Sequence, residues 1–195
     1  MMLTSEGPVL DWVDVFGDDV LDGGGGRVVL DIGFGGGEAL IELARQRRED
    51  CVVGVEVHTP GVANVLAAID EFGWQHVRLV EDDVLHLLPR IPLASLAEVR
   101  VWFPDPWPKN KQRHRRLLRD DVVPQLVDRL VVGGALHVAT DIEDYARQVE
   151  AVVAGERRLS GGPVERPDWR PVTRYERRGR TAGRTPVDLI YTRQR

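Results

Sequence analysis

The sequence predicts a single α/β domain built on a doubly wound, mostly parallel sheet, and three observations carry this. Apolar runs of strand length alternate with stretches of helical period. A glycine-rich turn, Gly33-Phe34-Gly35-Gly36-Gly37, follows the first of those runs. Acids end the second and follow the third, at Glu56 and at Asp82-Asp83. A length of 195 residues suits one domain with a sizeable core.

The first strand is expected over residues 27–32, entered through the four glycines 23–26. A helix follows from about Gly37 to Arg48, with Leu40, Leu43 and Ala44 on one face. Residues 51–57 read as a second strand, apolar enough to be buried on both faces. Thr59-Pro60 then offers an N-cap and a first-turn proline to a helix with Val62, Val65, Leu66 and Ile69 at helical spacing. Residues 77–81 and 99–103 read as strands three and four. Residues 113–130 have helical period, but Pro124 divides them, with a restart near Asp121. Gly133-Gly134 is expected to end that helix and lead into a strand over 135–140. Asp141 is expected to cap a helix that buries Ile142, Tyr145, Val149, Val152 and Val153. Two further strands, over 173–177 and 187–192, close the chain as a hairpin. The expected whole is a Rossmann-like sheet of about seven strands, mostly parallel, with a C-terminal antiparallel hairpin.

Composition excludes several classes. With 43% hydrophobic and 29% charged residues the chain is neither disordered nor collagen-like. No apolar run reaches the ~18 residues of a membrane helix. The first residues lack the basic and apolar regions of a signal peptide. The single cysteine, Cys51, cannot form an internal disulfide and reads as core, and no Cys/His cluster has zinc spacing. A cytoplasmic protein is expected, with no membrane partner and no metal. The oligomeric state stays open.

A net charge of -5 argues against a polyanionic partner, but its distribution argues the other way. Residues 1–22 hold six acids and no base. Residues 100–119 hold seven bases and one acid, and residues 156–195 hold eleven bases and five acids. The chain's only two lysines, Lys109 and Lys111, share one loop.

In the first βα turn, glycines let the backbone turn sharply and approach a ligand. A dinucleotide fingerprint would place its third glycine at position 38, where Glu38 would face a pyrophosphate, so a nicotinamide oxidoreductase is disfavoured. The pattern from Asp31 through Gly33 and Gly35 suits a ligand with adenosine and ammonium groups but no phosphate. Glu56 lies where a ribose diol would sit, and Asp83 could accept from an adenine amino group. Either Asp82 or Asp83 could instead be a helix N-cap. The spacing resembles that of class I S-adenosylmethionine methyltransferases.

After the fourth strand comes Phe103-Pro104-Asp105-Pro106-Trp107-Pro108-Lys109. Prolines on both sides of Asp105 restrict the loop's backbone. A rigidly held acid beside Phe103 and Trp107 fits a flat heterocycle stacked at the carboxyl end of the sheet. This motif and the basic run after it resemble the signature of the tRNA (guanine-N7)-methyltransferase family. The likeness continues at Ala139-Thr140-Asp141, at Thr173-Arg174-Tyr175-Glu176-Arg177-Arg178-Gly179, and at Gly183 and Asp188-Leu189. It spans about residues 27–193.

The resemblance implies methyl transfer from S-adenosylmethionine to N7 of a guanine in the tRNA variable loop. It makes residues 23–195 the methyltransferase domain, behind a short acidic segment at 1–22. Carried over by motif, Asp31, Gly33, Gly35, Glu56, Asp83 and Asp105 would bind the cofactor. Asp105 would lie between cofactor and base, as the catalytic residue. Lys109, Asp141, Thr173, Arg174, Tyr175 and Glu176 would contact substrate. Lys109, Lys111 and the arginines from 113 to 119 and from 174 to 184 would hold the RNA backbone. Two departures stand out: Gln112 occupies the place of the family's usual histidine, and the N-terminal arm is acidic where the family's is often basic. An amino-nitrogen methyltransferase and an RNA-binding scaffold without catalysis remain the alternative readings.

Overall fold

The computed structural model describes residues 1–23 and 26–195; Gly24 and Gly25, within the expected glycine entry to the first strand, lie outside the described residues. One sheet holds seven strands: β1 (Val28–Ile32), β2 (Cys51–Val55), β3 (Val77–Val80), β4 (Leu96–Trp102), β5 (Leu130–Thr140), β6 (Leu159–Val164) and β7 (Val187–Arg193). Their order is β3-β2-β1-β4-β5-β7-β6. The first five pair in parallel, and β7 runs antiparallel between β5 and β6. The expected α/β architecture is the observed one.

Strands β1, β2 and β3 are buried at every residue, which explains why they read as apolar runs without alternation. Successive residues still face opposite sides: Val52 joins one apolar cluster with Leu40 and Val65, while Val53 joins the other with Leu88 and Leu126. Helices α3 (Glu38–Gln46) and α4 (Thr59–Phe72) cover the first face. Helices α6 (Val123–Arg129) and α7 (Glu143–Gly155) cover the second. A short α5 (Val84–Leu87) follows β3.

The acidic N-terminal residues are tied to this body. Leu3 N donates to Leu79 O at 2.7 Å, and Met2 bridges to Leu79 in parallel, so these residues line the outer edge of β3. Two short helices follow, α1 (Trp12–Phe16) and α2 (Asp18–Gly23). Asp11 caps α1 by accepting from Val13 N. Leu10, Val15, Phe16 and Leu21 join the core.

Several expected boundaries are corrected. Helix α4 starts at Thr59 itself, after His58, and Thr59 Oγ1 donates to Glu81 instead of capping. Strand β5 begins at Leu130, five residues early: Gly133 adopts φ +83° and the pairing to β4 shifts register there, so the glycine pair forms a bulge inside the strand. Helix α7 is preceded by Ile142 rather than capped by Asp141. Residues 110–115 form a 3₁₀ turn and only residues 123–129 a helix.

The largest correction lies in the tail. The expected strand over 173–177 is helix α8 (Arg174–Thr181), and the antiparallel partner of β7 is β6. Thr173 caps α8, its Oγ1 accepting from Glu176 N at 3.1 Å. The Thr-x-x-Glu spacing is half of a capping box, a signal present in the sequence. Strand β6 contains Gly161-Gly162-Pro163, residues that rarely report a strand.

Candidate active site

Strand order reverses at β1, so the chain leaves a crevice at the carboxyl ends of β1 and β4. A cleft of about 430 Å³ opens there, lined by Gly33, Gly35, Glu56, Asp83, Asp105 and Tyr175 among others. That volume falls within the range of small-molecule sites.

The floor is the glycine loop. Gly33, Gly35 and Gly37 have φ of +74°, +60° and +86°, a region that side chains disfavour. A Cβ on Gly33 would meet nothing within 4 Å, so the backbone there is open to a ligand. A Cβ on Gly61 would collide with the Gly35 carbonyl, so α4 packs directly on the loop. Asn64 Nδ2 donates to Gly36 O at 2.8 Å and pins the same contact.

Glu56 directly follows β2 and turns back to this loop. Its carboxylate accepts from three backbone amides, Gly35 at 2.6 Å, Val57 at 2.7 Å and His58 at 2.9 Å. Asp31, at the end of β1, is buried and lines an adjoining pocket with Gly33, Thr173 and Arg174. Burial pushes its carboxyl up to about 6; Arg100 on β4 opposes that, while Glu98 and Glu56 add to it.

Asp82 and Asp83 both line the cleft, and they differ. Asp83 is the N-cap of α5, with Oδ1 accepting from Leu85 N at 2.9 Å. Asp82 accepts from Ser5 Oγ and lies 2.9 Å from His86 Nδ1. Hydrogen bonds from Ser5 and then His86 hold its carboxyl down at about 2. The contact from Ser5 is one that sequence reasoning missed.

The loop after β4 is held in an unusual shape. Phe103 and Trp107 have positive φ, +53° and +37°, which non-glycine residues adopt only where surroundings enforce it. Phe103 N donates to Ala139 O at 2.7 Å, and Arg116 Nε donates to Pro106 O at 2.7 Å. Arg115 lies over the Trp107 ring at 4.8 Å. Asp105 is exposed at the cleft, between these two anchors. Lys109 is exposed just before the 3₁₀ turn.

Arg116 corrects an expectation. Instead of facing RNA it is fully buried, donating to Gln148 and Asp144 on α7 as well as to Pro106. It is a brace for the Asp105 loop.

On the far wall stands α8. Arg174 and Tyr175 line the cleft, and the Tyr175 ring lies against Gly35. Glu176 and Asp141, both expected to contact substrate, are held by partners within the protein. Glu176 is fully buried, with Oε2 accepting from Arg170 at 2.7 Å and Oε1 from Arg180. Asp141 accepts from Arg184 at 2.7 Å and packs against the Cα of Gly179. The buried Arg170 also donates to Asp188 at 2.9 Å, and His137 Nε2 lies 2.8 Å from the same carboxylate. Arg170, missed in the sequence, joins α8 to β7 and β5.

The sheet order, glycine loop and acids at the strand ends define a methyltransferase of Rossmann-like fold. A family model described as "Putative methyltransferase" matches residues 26–189. The crystal structure of the 16S rRNA methyltransferase KamB superposes with a TM-score of 0.62 at 18% identity, covering 87% of this chain and 88% of that one, a likeness of fold. Sequence relatives narrow the class. A tRNA (guanine-N(7)-)-methyltransferase of Cupriavidus metallidurans is 39% identical over 192 residues, 95% of this chain and 71% of its own length. One of Hydrogenovibrio crunogenus is 38% identical over 197 residues, 98% and 80% of the two chains. The chain belongs to the tRNA (guanine-N7)-methyltransferase family.

Proposed function

We propose that this protein transfers a methyl group from S-adenosylmethionine to N7 of a guanine in the variable loop of tRNA. The observation that carries the reading is one cleft holding Glu56, Asp83 and Asp105 at the sheet's switch point, bordered by Arg115, Arg119 and Arg174. The site fits the cofactor on two counts: open space above Gly33 in the cleft, and a buried carboxyl, Asp31, lining the pocket beside it, that gains a partner when a cationic ligand arrives. Asp31, Gly33, Gly35, Glu56 and Asp83 would hold it. Bound there, S-adenosylmethionine supplies an electrophilic methyl group.

Guanine N7 carries an in-plane lone pair and no proton, so the protein has no proton to remove at that atom. Asp105 positions the base and stabilises the positive charge that spreads over the ring as N7 is methylated. Holding acceptor, methyl and sulfur in line supplies much of the remaining rate. Phe103 and Trp107 offer faces for the flat ring. Glu176 accepts from the guanine N1–H and 2-amino group, an option adenine lacks. Lys109 and the exposed arginines hold the backbone.

Unmodified tRNA incubated with methyl-labelled S-adenosylmethionine, then digested to nucleosides, tests this. Label in 7-methylguanosine is expected; label in an amino-methylated nucleoside or in protein favours the amino-nitrogen rival, and no label favours a scaffold.

Two predictions follow from the charges. Cofactor affinity falls by about tenfold per pH unit below about 6, because protonated Asp31 no longer attracts the cationic ligand and binding must expel that proton. Titration calorimetry from pH 5 to 8 checks this, and Asp31→Asn flattens the profile. Binding of tRNA weakens steeply with salt, and Arg177→Ala and Arg178→Ala each lower the slope of log Kd against log salt by about 1. Filter binding across a salt series reads it.

A further inference from the structure

Glu176 presents an arrangement that its proposed role does not explain. Its two carboxylate oxygens are held by two different kinds of arginine. Oε2 accepts from Arg170, which is itself fully buried and also bound to Asp188. Oε1 accepts from Arg180, one turn along α8, whose side chain is 53% exposed while Glu176 is 0% exposed. One pairing belongs to the core and the other to the surface.

The two pairings respond differently to an incoming ligand. The Arg180 pair has one partner in water, so a freed guanidinium is solvated at once. The buried pair is costly to break, because each partner would be left charged and unsolvated. When Arg180 swings away, Arg170 still balances the carboxylate, and one oxygen becomes available. Asp141 repeats the pattern: its side chain is 12% exposed and accepts from Arg184, which is 43% exposed.

We propose that Arg180 is a place-holder for the base: in the RNA-free protein it occupies the Glu176 oxygen that the guanine edge takes, and an RNA phosphate draws it away. An arginine forms strong paired hydrogen bonds with phosphate, so the exchange replaces one ion pair with two interactions, Arg180 to backbone and Glu176 to base. Backbone capture thereby uncovers the base-reading group. The inference rests on the guanine-reading role proposed above for Glu176.

The test measures binding of free guanosine, which has no phosphate to recruit Arg180, to protein saturated with S-adenosylhomocysteine. Arg180→Ala removes the competitor, so guanosine binds about two- to fivefold tighter, and Arg180→Gln shifts it the same way. Arg178→Ala, an exposed neighbour on α8 with no carboxylate partner among the described residues, leaves guanosine binding unchanged. All three weaken tRNA binding. Glu176→Gln weakens guanosine binding and abolishes the gain from Arg180→Ala. Unchanged or weaker guanosine binding in both Arg180 variants, with Glu176→Gln still harmful, overturns the place-holder alone. Wild-type guanosine binding in Glu176→Gln overturns the base-reading role, and the place-holder with it. Unaltered S-adenosylhomocysteine affinity in each variant certifies the fold.

Discussion

Asp105→Ala lowers turnover by about 10²–10³-fold or more while leaving S-adenosylmethionine affinity within a few-fold of wild type. The split follows from where Asp105 sits. It is exposed at the cleft on a loop held by Phe103 N and by the guanidinium of Arg116, so the substitution leaves the loop's anchors in place. The cofactor's expected groups lie elsewhere, Asp31 on β1, Glu56 just after β2 and Asp83 at the start of α5. What is lost is a fixed negative charge beside a ring that becomes cationic. Asp105→Asn keeps the shape and loses the charge, so it retains less than a tenth of wild-type turnover. Single-turnover rates with saturating tRNA, beside calorimetric cofactor binding, separate the two effects. An unchanged rate in either variant refutes the assignment.

Arg170→Met destabilises the fold by about 3–5 kcal/mol, lowering Tm by roughly 6–20 °C. The guanidinium is completely buried between the carboxylates of Glu176 and Asp188, and its removal strands two acids away from water. Burial alone would raise the Asp188 carboxyl, but His137 and Arg170 overcome it and hold the group below its ordinary range. A depressed acid contributes stability above its unfolded pKa and loses it as the pH falls through the folded value. Wild type therefore loses this contribution only in strong acid, whereas Arg170→Met lacks it already at neutral pH. Joining Arg170→Met to Glu176→Gln and Asp188→Asn recovers much of the loss, since neither former partner is then left buried and charged. Thermal melts at pH 7 and pH 4 measure both effects.

The parallel half of the fold was legible because its strands are buried on both faces and its helices follow the 3.6-residue repeat. β6 was not: Gly161-Gly162-Pro163 have poor strand propensity, and pairing with β7 on one side sustains them. Residues 173–176 mix a β-branched, an aromatic and two charged residues, and cap geometry decides the outcome. Among the site residues, Gly33, Gly35, Glu56, Asp83 and Asp105 converge on one cleft as their strand-end positions implied. Which arginines face outward was invisible: Arg115 and Arg116 are neighbours, yet one lies on Trp107 and the other is buried. A buried hub such as Arg170 with Glu176, Asp188 and His137 joins separate segments, and no local pattern announces it.

The residues along the outer edge of β3 have a consequence for how that edge meets other chains. Leu3 and Leu79 are far apart in sequence, and their hydrogen bond closes the outer side of β3. Uncovered, that edge would present unpaired backbone groups to any neighbouring chain, a template for intermolecular pairing. The acidic charge of residues 1–22 also disfavours the approach of a like segment from another copy. The same stretch that completes the wall behind Asp82 through Ser5 therefore also covers an edge open to intermolecular pairing.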